Sequence, residues 1–283
     1  MKVMKKNRPT IRLYAVVTLA LMGLLASAPA RAQFQPRDVG EPATGEQYHI
    51  EGALGLWFPA TEMQISSTAL GIIGSTIDFK TDLGLQDQKF TEFHLVGRPG
   101  RQHKLRLEYI PLTYEQSSTL KRKLVFNGQL YDVNLPVNST LDWKAWRVGY
   151  EYDFLARDRG FGGFIVDVKY TDVTARLASP IRSDFVQAQA PIPTIGGIFR
   201  VYPVPNIAIT GEITGLTLGW APESVRGNTN GHYADFDFYG TVNFTNNIGV
   251  QGGYRRFDVG YELKNDTGAF TVKGLYLNLV ARY

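Results

Sequence analysis

Trp146-Arg147-Val148-Gly149-Tyr150-Glu151-Tyr152-Asp153-Phe154 is the stretch on which the fold turns. Every second residue is aromatic or valine, and those between are charged or glycine. In a strand, successive side chains point to opposite faces, so this run makes one apolar and one polar face. The alternation recurs along the chain. Tyr48, Ile50, Gly52, Leu54, Leu56 and Phe58 oppose His49, Glu51, Ala53, Gly55 and Trp57; Thr91, Phe93 and Leu95 oppose Glu92, His94 and Arg98. Leu105, Leu107 and Tyr109 oppose Lys104, Arg106 and Glu108, and Phe164, Val166, Val168 and Tyr170 oppose Asp167, Lys169 and Thr171. Similar runs begin at Ile195, Ile207, Asp235, Val250 and Leu275. Ten strands are expected, an even number.

The chain has 283 residues, 44% hydrophobic and 20% charged, with 16 Phe, 15 Tyr, 4 Trp, 29 Gly and no Cys. That composition excludes a disordered protein, and the lack of Cys excludes disulfides, thiol chemistry and Cys-ligated metal. The formal charge of +4 is unevenly placed, because residues 1–32 hold six cations and no acid. The remainder has 24 cations against 26 acids, so the basic balance gives no reason to expect nucleic acid. Those first residues read as a leader: a basic run from Lys2 to Arg12, a weakly polar run from Leu13 to Ala26, and a small-x-small site at Ala30-Arg31-Ala32. The run is short of the ~20 residues a spanning helix needs. Cleavage is expected before Gln33, with residues 33–45 a periplasmic lead-in and 46–283 the folded unit.

Connections between the expected strands also alternate. Residues 99–102, 156–159, 203–206 and 245–247 are tight turns, whereas 59–89, 113–139, 178–193 and 217–231 read as long polar loops. Only the stretch 264–268 breaks the rule by being short. This asymmetry is that of outer-membrane barrels, with short periplasmic turns and long extracellular loops. Within the second long loop, Asn127-Gly128 is a type I′ hairpin cue. Its arms could raise the strand count to twelve, and eight is the smaller alternative. An arginine facing lipid at Arg122 costs ~2–4 kcal/mol at the midplane, which favours an extramembrane hairpin.

The leader, the alternating strands and the closing run Gly274-Leu275-Tyr276-Leu277-Asn278-Leu279-Val280-Ala281-Arg282-Tyr283 resemble a Gram-negative outer-membrane β-barrel protein. The segment Thr81-Asp82-Leu83-Gly84-Leu85 with the following hairpin is similar to uncharacterised barrels of this size. The resemblance implies an all-β, antiparallel up-and-down transmembrane barrel in the cell outer membrane. It also implies that the terminal aromatic, here Tyr283 instead of the usual Phe, is read by the barrel assembly machinery. Lipid and lipopolysaccharide are the implied surroundings, and a monomer is expected.

The inward faces are rich in opposite charges. Asp237, Arg255, Arg147, Asp167, Arg200, Glu212, His94 and Glu108 are the expected lumen network. Isolated buried charges are costly, so a paired plug is favoured over a narrow pore for small polar solutes. Counting back from the turn at 245–247 sets Asp237 opposite Arg255 and Tyr239 opposite Gly253, and a salt bridge is expected between the first two. Lys121, Arg122 and Lys123 form a basic cluster that could meet lipopolysaccharide phosphates. The barrel enzymes to weigh are omptin proteases, with an Asp–His couple at the rim, and lipid A deacylases, with a His–Ser pair. Only His232, before Asp235 and Asp237, lies where a rim couple could form. No catalytic, cofactor or metal residue is assigned, and phosphate-loop, HExxH and calcium-loop motifs are missing from the sequence. The reading is a structural or surface-interaction barrel.

Overall fold

The computed structural model describes residues 43–67, 74–181, 183–220, 229–263 and 266–283. The expected leader, its cleavage point before Gln33 and residues 33–42 lie outside them. In chain order the strands are β1 (Ile50–Ser67), β2 (Ile77–Asp78), β3 (Phe90–Gly100), β4 (His103–Thr119), β5 (Leu124–Phe126), β6 (Gln129–Tyr131) and β7 (Pro136–Arg157). Then come β8 (Gly160–Ala178), β9 (Ser183–Val204), β10 (Ile207–Thr217), β11 (Thr229–Asn243), β12 (Ile248–Leu263) and β13 (Asp266–Arg282).

Each long strand pairs antiparallel with the next in sequence, and β13 returns to β1 from Glu51↔Arg282 to Ser67↔Asp266. The sheet is therefore a closed barrel of ten long strands. Closure leaves every backbone group along the paired lengths a partner without water, the condition for crossing lipid. β5 and β6 pair only with each other, so the twelve-strand and eight-strand alternatives fall away. Asn127 and Gly128 have φ of 49° and 75°, the left-handed pair that a type I′ turn requires.

The belt of exposed apolar side chains follows the alternation. Leu54, Phe58, Trp146, Val166, Ile195, Ile213, Phe238, Leu275 and Leu279 all point outward and stay accessible on the isolated chain. Tyr109 stacks on Trp146 at 4.1 Å at one edge of this belt, and Tyr152 meets Phe164 at 5.6 Å near the other. Tyr283 stands 84% exposed at the turn-side end, where its carbonyl accepts the amides of His49 and Ile50.

Much of the sequence expected to be loop is strand. β1 runs on to Ser67, β4 to Thr119, and β7 and β9 begin at Pro136 and Ser183. The tight turns at the opposite end stand as expected. In the extensions the alternation continues with its phase reversed. Met63, Ile65, Leu112, Tyr114, Leu141, Trp143, Phe270 and Val272 point inward and are buried, while Glu62, Gln64, Thr113, Asp142, Lys144, Asp258 and Lys273 point outward. Below the crossing the outer solvent is lipid, and above it the outer solvent is water. The apolar face must therefore move from outside to inside.

Candidate functional site: the filled lumen

The lumen is stacked in layers. At the turn end, Ala43 and Thr44 donate backbone bonds to Asp158 and Pro205, folding the end of the lead-in beneath the barrel. Glu46 follows; its carboxylate accepts from Tyr202 Oη at 2.8 Å and lies 3.3 Å from Arg98 and 3.7 Å from Arg200. Arg282 bonds Glu51 and donates to Asn243 at 2.8 Å. Glu46 escaped the sequence reading because it precedes the first alternating residue.

Above this floor, cations and acids alternate without a break. Lys104 lies 2.7 Å from Glu151, Arg106 spans Glu151 at 2.8 Å and Glu212 at 2.6 Å, and Arg147 is 2.5 Å from Glu212. Arg147 also pairs with Asp167 and stands 3.7 Å from Glu108, which meets Arg255 at 2.5 Å. Arg255 then reaches Asp235 at 2.8 Å, and Asp235 is 2.5 Å from Lys169. Four of these links cross between strands that are not neighbours: Arg106 on β4 and Arg147 on β7 to Glu212 on β10, Glu108 on β4 to Arg255 on β12, and Lys169 on β8 to Asp235 on β11. Nearly every member is buried, so each charge depends on its neighbours for the solvation it has lost.

The expected register is present, with Asp237↔Arg255 and Tyr239↔Gly253. A Cβ at Gly253 would sit 2.5 Å from Tyr239 Cβ, so glycine is what admits the tyrosine. The expected Asp237–Arg255 salt bridge is not formed. Arg255 leans along the strand to Asp235, and Asp237 instead accepts from Tyr276 Oη at 2.9 Å. Facing Cβ atoms do not fix the partner of a side chain as long as arginine. His94 lies 3.4 Å from Glu92 and 3.5 Å from Glu108, and Arg200 donates to Thr210 and Tyr239. Of the expected network, Arg147, Asp167, Glu212, Glu108, His94 and Arg255 meet, Arg200 lies toward the floor, and Asp237 stands beside the chain. A cavity of about 40 Å³ beside His94, Arg106 and Tyr239 has room for a water or two.

An apolar layer covers the charges. Trp143 packs edge-on against Phe257 at 5.2 Å and Phe270 at 5.6 Å, and Trp57 lies 5.5 Å from Phe257. Over these rings sit Ile77, Phe79, Leu83 and Leu85 with Leu120, Leu124, Phe126 and Tyr131, all buried in the same cluster. Residues 77–85 and the hairpin thus form a cap. Ser75 donates to the Val125 carbonyl at 2.9 Å, and Asn127 reaches Asp184 at 2.8 Å.

Of the basic cluster, Arg122 serves this cap. Arg122 donates to both oxygens of Asp82 at 2.7 and 2.6 Å, Lys123 lies 3.1 Å from Asp132, and Lys121 is exposed. The Arg122 hydrogen bonds hold the Asp82 carboxyl below its ordinary value. The clamp is therefore whole at neutral pH and is lost as acid protonates Asp82. Arg122 is half exposed, so the effect is modest. Arg122→Ala is expected to speed amide exchange in residues 77–85 about fivefold at pH 7, equivalent to about 1 kcal/mol. The difference should shrink as the pH falls below the carboxylate range; an equal difference at all pH values refutes the clamp.

The histidines are dispersed. His49 and His103 lie at the turn end, where His103 Nδ1 is 2.5 Å from Tyr150 Oη, and His94 is in the charge layer. His232 is exposed on the outer face, whereas Asp235 points into the lumen, so the rim couple does not form. Three residues apart on a strand are two opposite faces. Among the described residues, no group of three or more His, Asp or Glu is placed to hold a metal ion.

No protein-family model and no curated protein matches the chain. Among solved structures it is similar to the outer membrane protease OmpT of Escherichia coli. The TM-score is 0.57 at 9% identity, covering 90% of this chain and 99% of that one. Weaker likenesses are Ail, the attachment invasion locus protein of Yersinia pestis (TM-score 0.35, 7% identity, 82% and 99% covered), and the Pseudomonas putida toluene transporter TodX (0.34, 9%, 92% and 93%). The fold is that of the Gram-negative outer-membrane β-barrels. At these identities the likeness concerns architecture alone.

Proposed function

We propose that the protein is an integral outer-membrane barrel with a plugged lumen, acting as a structural or surface-interaction protein and not as an enzyme. The observation that carries this reading is the alternating charge chain crossing from β4 to β10 and β12 beneath a continuous layer of buried rings. A conduit for solutes needs an open polar path, and here the polar groups are consumed by one another. The apolar belt supplies the lipid contact, the cap and strand extensions face outward among lipopolysaccharide, and Tyr283 closes the final strand as the residue offered to the assembly machinery.

Purified full-length protein in planar bilayers is expected to give no unit conductance above baseline. Reproducible steps from the folded, heat-modifiable form would overturn the plug in favour of a small-solute pore.

A further inference from the structure

β9 outruns one of its neighbours. Its pairing with β8 runs from Gly160↔Val201 to Ala178↔Ser183, whereas its pairing with β10 stops at Ile195↔Gly215. β10 itself ends at Thr217, and the turn after it leans the other way: a Cβ on Gly231 of β11 would lie 3.7 Å from Leu218. Among the described residues, 183–193 therefore have a strand on one side only.

The register tells which groups that edge exposes. Tyr202 donates its N–H to the Arg159 carbonyl at 3.1 Å, and the β8–β9 register continues from there without a shift. Hydrogen-bonding direction alternates along a strand. Even-numbered residues of β9 therefore bond β8, and odd-numbered ones turn N–H and C=O to the open side. Pro191 and Pro193 fall on that side, where a missing N–H breaks no ladder, and they offer carbonyls alone. The far end is closed at Phe185, whose N–H donates to Asp184 Oδ1 at 3.0 Å and whose carbonyl lies 3.5 Å from the Asn127 amide.

Between these ends, Gln187 and Gln189 each present an N–H and a C=O to the open side. Their side chains do not cover them, because both amides are drawn back to Asp172 on β8, at 3.1 and 3.0 Å. Lysine, a common guard of exposed edges, does not occur between 183 and 193, and the one charge there, Asp184, is engaged by Asn127 at 2.8 Å. Toward the barrel axis the strip carries Val186 and Ile192, packed on the apolar cluster, with Ala188 between them.

Donors and acceptors in line, two residues apart, match the backbone of an extended chain. We propose that this edge takes an extended polypeptide segment of about seven residues, from outside the cell, as an added strand. Its apolar residues would lie toward the axis beside Val186 and Ala188, and its polar ones toward solvent beside the glutamines. A second copy in the same membrane does not fit. Barrel strands tilt ~35–45°, so facing strands of two upright copies cross at roughly twice that angle. The proposal rests on the surface-interaction reading and on that end being extracellular; a conducting barrel would leave it standing.

The test uses the full-length barrel in micelles, amide exchange followed by NMR, and a blocked heptapeptide alternating threonine and valine. Without peptide, the Gln187 and Gln189 amides should exchange at least about tenfold faster than those of Ala188 and Ala190, which bond β8. Peptide should slow the two glutamine amides and leave the two alanines unchanged. Methylating either the threonine or the valine nitrogens blocks one edge of the peptide, so just one of the two methylated forms should lose binding. Gln187→Pro with Gln189→Pro should weaken binding about tenfold while heat-modifiable mobility is kept. The double alanine variant keeps both N–H groups and should bind as the wild type does. Glutamine amides already protected in the free barrel would mean that the edge is taken by another part of the chain. That result, no slowing by peptide, equal effects of the two methylated forms, or unchanged binding in the folded proline variant overturns the proposal.

Discussion

Asp235→Asn is expected to lower the stability of the barrel by about 3–5 kcal/mol, because it leaves the buried Lys169 without its ion-pair partner and takes one of two carboxylates from Arg255. Asp235 lies 2.5 Å from Lys169 and 2.8 Å from Arg255, and all three are buried. The substitution keeps the volume and removes the charge, so packing loss does not confuse the result. Asp237→Asn is the internal comparison. Its carboxylate takes a hydrogen bond from Tyr276, which an amide oxygen also accepts, so the expected loss is about 1 kcal/mol or less. Adding Lys169→Met to Asp235→Asn should cost less than the sum of the two single changes, since Arg255 retains Glu108. Guanidinium unfolding in micelles, or the temperature at which the heat-modifiable band converts, measures each variant. Equal losses for Asp235→Asn and Asp237→Asn would return the ion pair to the facing residues.

Trp143→Ala is the second large effect, with an expected loss of about 3–5 kcal/mol from vanished ring contacts and the cavity left behind. Trp143 is 1% exposed and meets both Phe257 and Phe270. Trp146, three residues along, faces lipid at 41% exposure, and acyl chains replace what its ring gives up. Trp146→Ala should therefore cost markedly less under the same unfolding measurement. The charge layer beneath Trp143 stays intact, so the variant is expected to remain silent in planar bilayers. Conductance appearing in Trp143→Ala would mean that the apolar layer alone seals the barrel.

The two tryptophans also show where reading the sequence stops. The lipid-facing alternation places Trp146, whereas Trp143 lies beyond it, beside the stretch 113–139 that reads as loop. Its neighbours do alternate, but with polar Asp142 and Lys144 outside and Leu141 and Trp143 inside. The same reversed signal is written in Thr61-Glu62-Met63-Gln64-Ile65 and Phe270-Thr271-Val272-Lys273. A search for period two that ignored phase would have found these extensions. The cap was harder to see, because Ile77, Phe79, Leu83 and Leu85 follow no single period and are buried only by rings from distant strands.

The sequence by itself determined the barrel, its ten lipid-crossing segments, which charged residues of those segments face the lumen, and the β11–β12 register. All of these follow from a period-two pattern in which a one-residue slip would put charge into lipid. The tertiary structure alone decided which charge pairs with which, that Glu46 enters the floor, and that a capped apolar layer fills the outer half. Alternation fixes the face on which a side chain emerges. The reach of an arginine across a closed lumen, or of a loop over its mouth, depends on which strands curve to meet it, and adjacency along the chain carries no record of that.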